Sequence, residues 1–384
     1  MKISILLPFL LFLAIIPSQS NAQILWNTHN LELLRDSDQY KVMKEWIIRK
    51  AQNYIDKQPI SVVTQDKKFA PDPHFYSSIA IYWWPDSTNP SAPYIRKDGQ
   101  RNPEADLYDG KKIADLRERL KWLSVAYWLT NDNSFKEAYI KQITTWFIDP
   151  ETMMLPNFEY AQVRPGHNQN KGSVSGLIEA YDFIYIIESI RLMQAKQALS
   201  QELIDQTKEW FRQFAQWMTQ SQLGQKEQNT KNNHSIAYDV NLLNISLFTQ
   251  QDSLTKHISD NFAQKRLITQ IKEDGTQPEE LSRNNAMNYS IYNLNHIIDF
   301  CIIQEYLGNN FYMNNQQLID QAFKWLWQFV GNQQEFPYNE IGNWTTRENY
   351  LRRQTFRLNR LKGANINNIT QEKAPNLSSA NLLD

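Results

Sequence analysis

The chain has 384 residues, 41% of them hydrophobic and 12% aromatic, with 40 basic against 41 acidic side chains. Without Lys2, which sits in the leader described below, 39 basic and 41 acidic residues remain, a formal charge of −2. That balance excludes bulk attraction to a polyanion: no nucleic-acid partner is expected, and an acidic substrate must be held by local charge inside a cleft. The lone cysteine, Cys301, cannot make an internal disulfide, so stability rests on the core.

Residues 1–22 read as a cleavable secretory leader. Lys2 supplies the positive start, 3–16 an apolar run broken only by Ser4 and Pro8, and Ser20-Asn21-Ala22 a small-residue cleavage pattern. Cleavage after Ala22 leaves an exported product, periplasmic or secreted. The run falls short of the ~20 residues that span a bilayer, and no later stretch reaches that length, so no membrane span is expected. The remainder is expected to form one domain, 23–384, with an Asn-rich tail from 362 that is weakly patterned and expected to be poorly ordered.

A first helix is predicted over 38–56, where Tyr40, Met43, Trp46, Ile47, Ala51 and Tyr54 follow the helical period. The proline-rich stretch 58–110 is predicted to be irregular. An insertion of that length in a compact domain is usually a lid or a binding loop, and it concentrates Tyr82, Trp83, Trp84 and Arg96. These either pin the loop to the body or form a substrate-facing wall. Helices are then predicted over 111–130 and 134–147, and the polar loop 156–171, with Arg164, His167 and Asn168, is either a connector or a set of sugar contacts. Further helices are predicted over 173–193, 201–218, 234–248, 255–271, 286–306 and 316–330, and the last fifty residues read as irregular. Successive helices with short polar joints suggest stacked helical hairpins. In an exported, aromatic-rich chain this predicts an all-α fold, an (α/α) toroid with a cleft across one end and long irregular loops over it.

The chemistry centres on Asn232-Asn233-His234-Ser235 and Arg283-Asn284-Asn285-Ala286-Met287-Asn288-Tyr289. Two amides before an imidazole mark a helix start, where unpaired backbone N–H groups suit an anion. His234, Tyr238 and Asn241 then share one face of the helix, and Tyr289, Tyr292, Asn293 and His296 share a face of the later one, so each set is a candidate cleft lining. Six helical residues turn about 600°, which leaves Arg283 and Tyr289 roughly 120° apart; they converge only if Arg283 precedes the helix.

Such groups can remove a carbon acid proton beside a carboxylate and expel an oxygen leaving group. Asn233 and Arg283 would neutralise the carboxylate. His234, with an ordinary pKa near ~6.5, and Tyr289, near ~10 unless lowered by a close Arg283, would exchange the protons. Tyr289 serves as both base and acid if proton and leaving group share a face of the sugar; otherwise His234 is the base and Tyr289 the acid. No metal ligation is expected, because the six histidines show no tight ligand spacing, and no cofactor motif appears. Asp239, Glu279 and Glu280 leave an inverting glycoside hydrolase open as an alternative, and a non-catalytic carbohydrate-binding protein is a second.

The pairing of Tyr82-Trp83-Trp84-Pro85-Asp86 and the run from Pro93 to Glu104 with Asn232-Asn233-His234-Ser235 resembles the alginate lyase superfamily of (α/α)-toroid polysaccharide lyases. The resemblance implies β-elimination carried by Asn233, His234, Arg283 and Tyr289, on alginate or glucuronan, without a metal. Tyr82, Trp83, Trp84, Arg96, Arg164, His167, Asn168, Tyr238, Tyr292 and His296 are the residues expected to touch this anionic polysaccharide.

Overall fold

The structure is a computed structural model that describes residues 23–362 and 382–383. The leader over 1–22 and the tail beyond 362, apart from Leu382 and Leu383, lie outside the described residues. The described helices are α1 (Thr28–Asp36), α2 (Lys41–Gln52), α3 (Lys112–Thr130), α4 (Asn133–Phe147), α5 (Phe183–Ala195), α6 (Gln201–Gln220), α7 (Gln222–Gln228), α8 (Asn233–Phe248), α9 (Asp252–Phe262), α10 (Ile268–Gln270), α11 (Pro278–Leu281), α12 (Ala286–Tyr306), α13 (Phe311–Trp327) and α14 (Trp344–Leu361).

Sequence decides which helices lie inside. In α5, α8 and α12 the apolar and small residues run all round the helix, and 11 of 13, 14 of 16 and 16 of 21 residues are buried. A helix apolar on every side has to be surrounded. By contrast α9 buries only Ile258 and Phe262, and α6 buries one stripe containing Trp210, Phe211, Phe214 and Met218. The inner series therefore runs α3, α5, α8, α12 and α14, each packed on the next, while α2 and α4 cover α3, α6 and α9 cover α8, and α13 lies against α12 and α14. This is an (α/α) toroid. Its core includes the stacked pair Phe262 and Phe300, 3.6 Å between ring centres, and an aromatic cluster in which Phe183 meets Trp210, Phe211 and Phe214.

The irregular segments gather where α8 and α12 begin. Strand β1 (Ser77–Ile79) pairs in parallel with β4 (Tyr160–Val163), and β2 (Trp83–Trp84) pairs with β3 (Ile95–Arg96) as a short antiparallel ladder. The turn after β3 carries Asp98 and then Gly99 at φ 77°, where an added Cβ would fall 2.6 Å from Ile341 and 3.2 Å from Asn285. The hairpin thus approaches the start of α12 closely, and the positive φ of Gly99 is what favours glycine there.

Two expectations for the helices fail. The last fifty residues are not irregular, because α14 occupies eighteen of them. Its buried face includes Gln354, Thr355 and Arg357 beside Leu351 and Leu358, and Arg357 is neutralised by Asp299 of α12 at 2.5 Å. A face that becomes buriable only through a partner on another helix carries no apolar period. The short helices α1 and α7 were likewise absent from the predicted elements; α7 has seven residues, too few to show a period.

Candidate active site

The start of α8 sets the site. Asn232 is the N-cap, its side chain accepting from His234 N–H at 3.3 Å. The backbone N–H of Asn233, at the positive end of the helix, donates to Glu280 Oε1 at 2.6 Å, and its side-chain Nδ2 donates to Glu280 Oε2 at 2.7 Å. The anion expected at this helix start is therefore the protein's own Glu280. Burial raises the Glu280 pKa, and the bonds from Asn233 act against that rise. The result is a fixed amide whose second N–H is not needed by Glu280.

His234 is oriented from behind. Its Nδ1 lies 2.7 Å from Glu227 Oε1 on α7, and Glu227 is 1% exposed. With a carboxylate as partner Nδ1 carries the hydrogen, which leaves Nε2 as the lone-pair nitrogen available to the cleft.

Arg283 lies in the turn before α12, as convergence with Tyr289 required. Its guanidinium stands 4.1 Å over the Tyr289 ring centre, and it is held there by Asp98, with Nη2 to Oδ1 at 2.8 Å and Nε to Oδ2 at 3.3 Å. Asp98 also accepts from Arg96 Nη2 at 2.7 Å. Burial pushes the Asp98 pKa up, but the hydrogen bonds from Arg283 and Arg96 outweigh it and hold it at about 2. Tyr289 meets Tyr82, hydroxyl to hydroxyl, at 3.0 Å. Its pKa is raised, first by burial and then by Tyr82, with the Arg283 charge acting the other way. The Arg283 charge does act to lower this phenol, as expected, but desolvation and Tyr82 outweigh it, so the net pKa is raised.

Asn233, His234, Arg283 and Tyr289 line one cleft of about 470 Å³ with Tyr82, Trp83, Arg96, Arg164 and Tyr292. Trp83 is backed by Arg164, 4.9 Å from its ring centre, and by the edge of His167. Burial, and then the Arg96 charge, lower the Arg164 pKa, and its Nε makes no hydrogen bond. Alternation along β2 sends Trp84 away from the cleft, where its Nε1 donates to Gln100 O at 2.9 Å. The aromatic loop is thus both a wall, through Tyr82 and Trp83, and a pin, through Trp84.

Four other expected contacts are corrected. Tyr238 is 3% exposed and donates to Met218 O at 2.9 Å, outside the cleft. Asn241, on the same face, is 2% exposed. His296 is buried between Tyr181 and Tyr292, and burial drives its pKa well down, so it is a neutral core side chain. His167 binds Tyr94 O through Nε2 at 2.8 Å, and Asn168 donates to Gly172 O at 3.3 Å; both shape the loop behind Trp83 instead of bordering the cleft. Among faces of a helix that is buried all round, sequence spacing cannot say which one looks into a cleft. Glu227, Glu280 and Asp98 as supports of His234, Asn233 and Arg283 were not found from sequence, since each acts across a chain reversal.

The carboxylates weighed for hydrolysis are engaged elsewhere. Asp239 forms a buried two-point pair with Arg266 at 2.7 and 3.0 Å, Glu280 holds Asn233, and Glu279 is exposed.

A family profile described as alginate lyase matches residues 62–336. The chain belongs to the alginate lyase family. It is a polysaccharide lyase, similar to an alginate lyase from Bacteroides ovatus at 33% identity and TM-score 0.85, over 92% of this chain and 97% of that one. The fold alone is shared with alginate lyase A1-III from Sphingomonas species A1, at 13% identity and TM-score 0.51 over 88% of this chain and 91% of that one. A tetrasaccharide complex of a variant of alginate lyase A1-III reaches TM-score 0.56 at 13% identity, over 88% and 90% of the two chains. No curated relative matches the chain. No described helix of this lyase is long and apolar enough to cross a membrane.

Proposed function

We propose that this lyase cleaves a uronic-acid polymer by β-elimination, with alginate of the polymannuronate type as the first substrate and glucuronan as the second. The observation that carries the reading is the convergence in one cleft of a carboxylate-backed imidazole, a half-buried phenol under a guanidinium, and a helix-start amide. The Asn233 N–H not used by Glu280 and the Arg164 guanidinium neutralise the substrate carboxylate, making the C5 proton acidic enough to remove. Arg283 acts mainly through Tyr289, since Asp98 takes two of its donors.

On mannuronate or glucuronate, where the C5 proton and O4 share a face, Tyr289 takes the proton and, as the C4–O4 bond breaks and the C4=C5 double bond forms, returns it to the departing O4; on guluronate, where they lie on opposite faces, His234 Nε2 takes the proton and Tyr289 gives its own to O4. A phenol whose pKa is raised keeps its proton until the leaving oxygen develops charge, which supports the acid role for Tyr289. Tyr82, hydrogen-bonded to Tyr289, can resupply that proton. The B. ovatus neighbour is an alginate lyase, which supports alginate as the substrate class. We further propose that residues 1–22 direct export and that the mature chain begins at Gln23, to be checked by N-terminal sequencing of the exported protein.

The test is ultraviolet absorbance of the unsaturated product on separate polymannuronate, polyguluronate and glucuronan. A rise on polymannuronate supports the reading. New reducing ends without that absorbance would replace it with hydrolysis.

A further inference from the structure

The turn that carries Arg283 is held by a segment from far along the chain. Helix α12 has no side-chain cap of its own: Asn285 stands at the cap position and makes no capping hydrogen bond. Two of the first N–H groups of the helix go instead to residues 338–342. Ala286 N–H donates to Asn339 O at 2.9 Å, and Asn288 N–H donates to Glu340 Oε2 at 3.0 Å. Ile341 N–H donates to Asn284 O at 3.1 Å, which completes an antiparallel bridge between Asn285 and Glu340. A carboxylate placed there also meets the positive end of the helix dipole. The segment follows residue 336, where the match to the alginate lyase profile ends.

The Glu340 side chain is 2% exposed, and both of its oxygens are engaged. Oε1 accepts from Gly342 N–H at 3.0 Å and from Arg347 Nε of α14 at 3.2 Å, while Oε2 holds Asn288. Beside it, Asn284 uses each of its four polar groups. Its backbone N–H donates to Asp98 Oδ2 at 3.3 Å and its Nδ2 to Asp98 O at 3.1 Å, while its O and Oδ1 accept from Ile341 and Asn339. The tip of the β2–β3 hairpin, the 283–285 turn and residues 338–342 thus meet at one place. Tyr289 is the next residue after the N–H that Glu340 holds.

We propose that Glu340 is a positioning residue of this lyase: by fixing the first turn of α12 it keeps the Tyr289 hydroxyl against Tyr82 and the Arg283 guanidinium over the Tyr289 ring. It rests on the lyase reading, in which Tyr289 exchanges the proton with the sugar. Such an exchange depends on placement, and an error of about 1 Å costs on the order of 100-fold in rate.

The experiment compares wild type with Glu340→Gln. Glutamine offers one acceptor oxygen where glutamate offers two, so either Asn288 or Gly342 with Arg347 comes to face an NH2 group. The matched control is Glu348→Gln in α14, whose carboxylate holds Gly331 N–H and Trp344 Nε1 instead, at 2.7 and 2.9 Å. In Glu340→Gln kcat on polymannuronate is expected to fall about tenfold or more, with KM within about twofold of wild type. Hydrogen exchange at the Ala286 and Asn288 amides is expected to quicken in the same variant, and Glu348→Gln is expected to lose thermal stability while keeping its kcat. A wild-type kcat or unchanged exchange in Glu340→Gln overturns the proposal, as does an equal fall of kcat in Glu348→Gln. If Glu340→Gln does not fold, Glu340→Asp, which keeps the charge and shortens the reach, carries the same comparison. Absence of unsaturated product from wild type counts against the lyase reading; the hold of Glu340 on the turn is then judged by hydrogen exchange alone. Faster exchange at Ala286 and Asn288 in the variant supports it, and equal exchange overturns it.

Discussion

Glu227→Gln replaces the carboxylate behind His234 with a neutral amide of nearly the same shape. The contact is short, 2.7 Å, and Glu227 is 1% exposed, so solvent does not compensate for its loss. A hydrogen bond to a charged group contributes ~1.5–3 kcal/mol. In the elimination from guluronate His234 becomes a cation in the transition state, and the carboxylate stabilises that cation where an amide does not, so the comparison is made on polyguluronate. The loss therefore falls on the barrier, and at about 1.4 kcal/mol per decade kcat should drop by ~10- to ~150-fold. KM should stay within about threefold of wild type, because ground-state binding keeps its cleft walls. The assay is the initial rate of unsaturated uronate formation at saturating polymer, with thermal melting as a control for folding. A variant that melts like wild type and retains its kcat would refute the assignment of Glu227 as the positioning residue for His234, and with it the base role of Nε2.

Asp98→Asn leaves Arg283 and Arg96 without their shared carboxylate and loosens the hairpin bearing Tyr82 and Trp83 from the start of α12; kcat/KM should fall about 10- to 100-fold in steady-state assays. Glu179, which accepts from Tyr76 and Ser78 hydroxyls, has its pKa pushed up by burial to about 7. A raised carboxyl favours the folded state fully below its unfolded pKa of ~4.5, and that contribution is lost as pH rises through about 7. Glu179→Gln should accordingly flatten the decline in stability between those values by an amount on the order of 1–3 kcal/mol, read by denaturant melts at a series of pH. Phe262→Ala opens the stack with Phe300 in the core and should cost about 3–5 kcal/mol in the same melts, with KM untouched.

Much of the helical frame was legible because its signal is local. The apolar period over 286–306 gave α12 with both ends, and Asn232 before His234 gave the start of α8 within a residue. The turn position of Arg283 followed from helical geometry once convergence with Tyr289 was assumed, since a six-residue gap closes only when the arginine stands outside the helix. What stayed hidden was set by partners distant in sequence. Arg357 is buried in α14 where Asp299 and Asn295 of α12 meet it. Glu227 reads as one more acidic residue in a polar stretch until α7 turns it onto His234. Tyr238 and His296 have the right chemistry and a helical spacing that fits a cleft, yet α8 and α12 are enclosed on nearly every face, so the same spacing also leads into the core. The net rise of the Tyr289 pKa stayed hidden for a related reason: the charge beside it was visible in sequence, and its desolvation was not.

The most direct measurement of the central claim is ultraviolet absorbance during turnover of polymannuronate by the mature protein, beside Tyr289→Phe. The account predicts a rise for wild type and its near loss in the variant, with polymer binding retained. A rise that persists at the wild-type rate in Tyr289→Phe would contradict it.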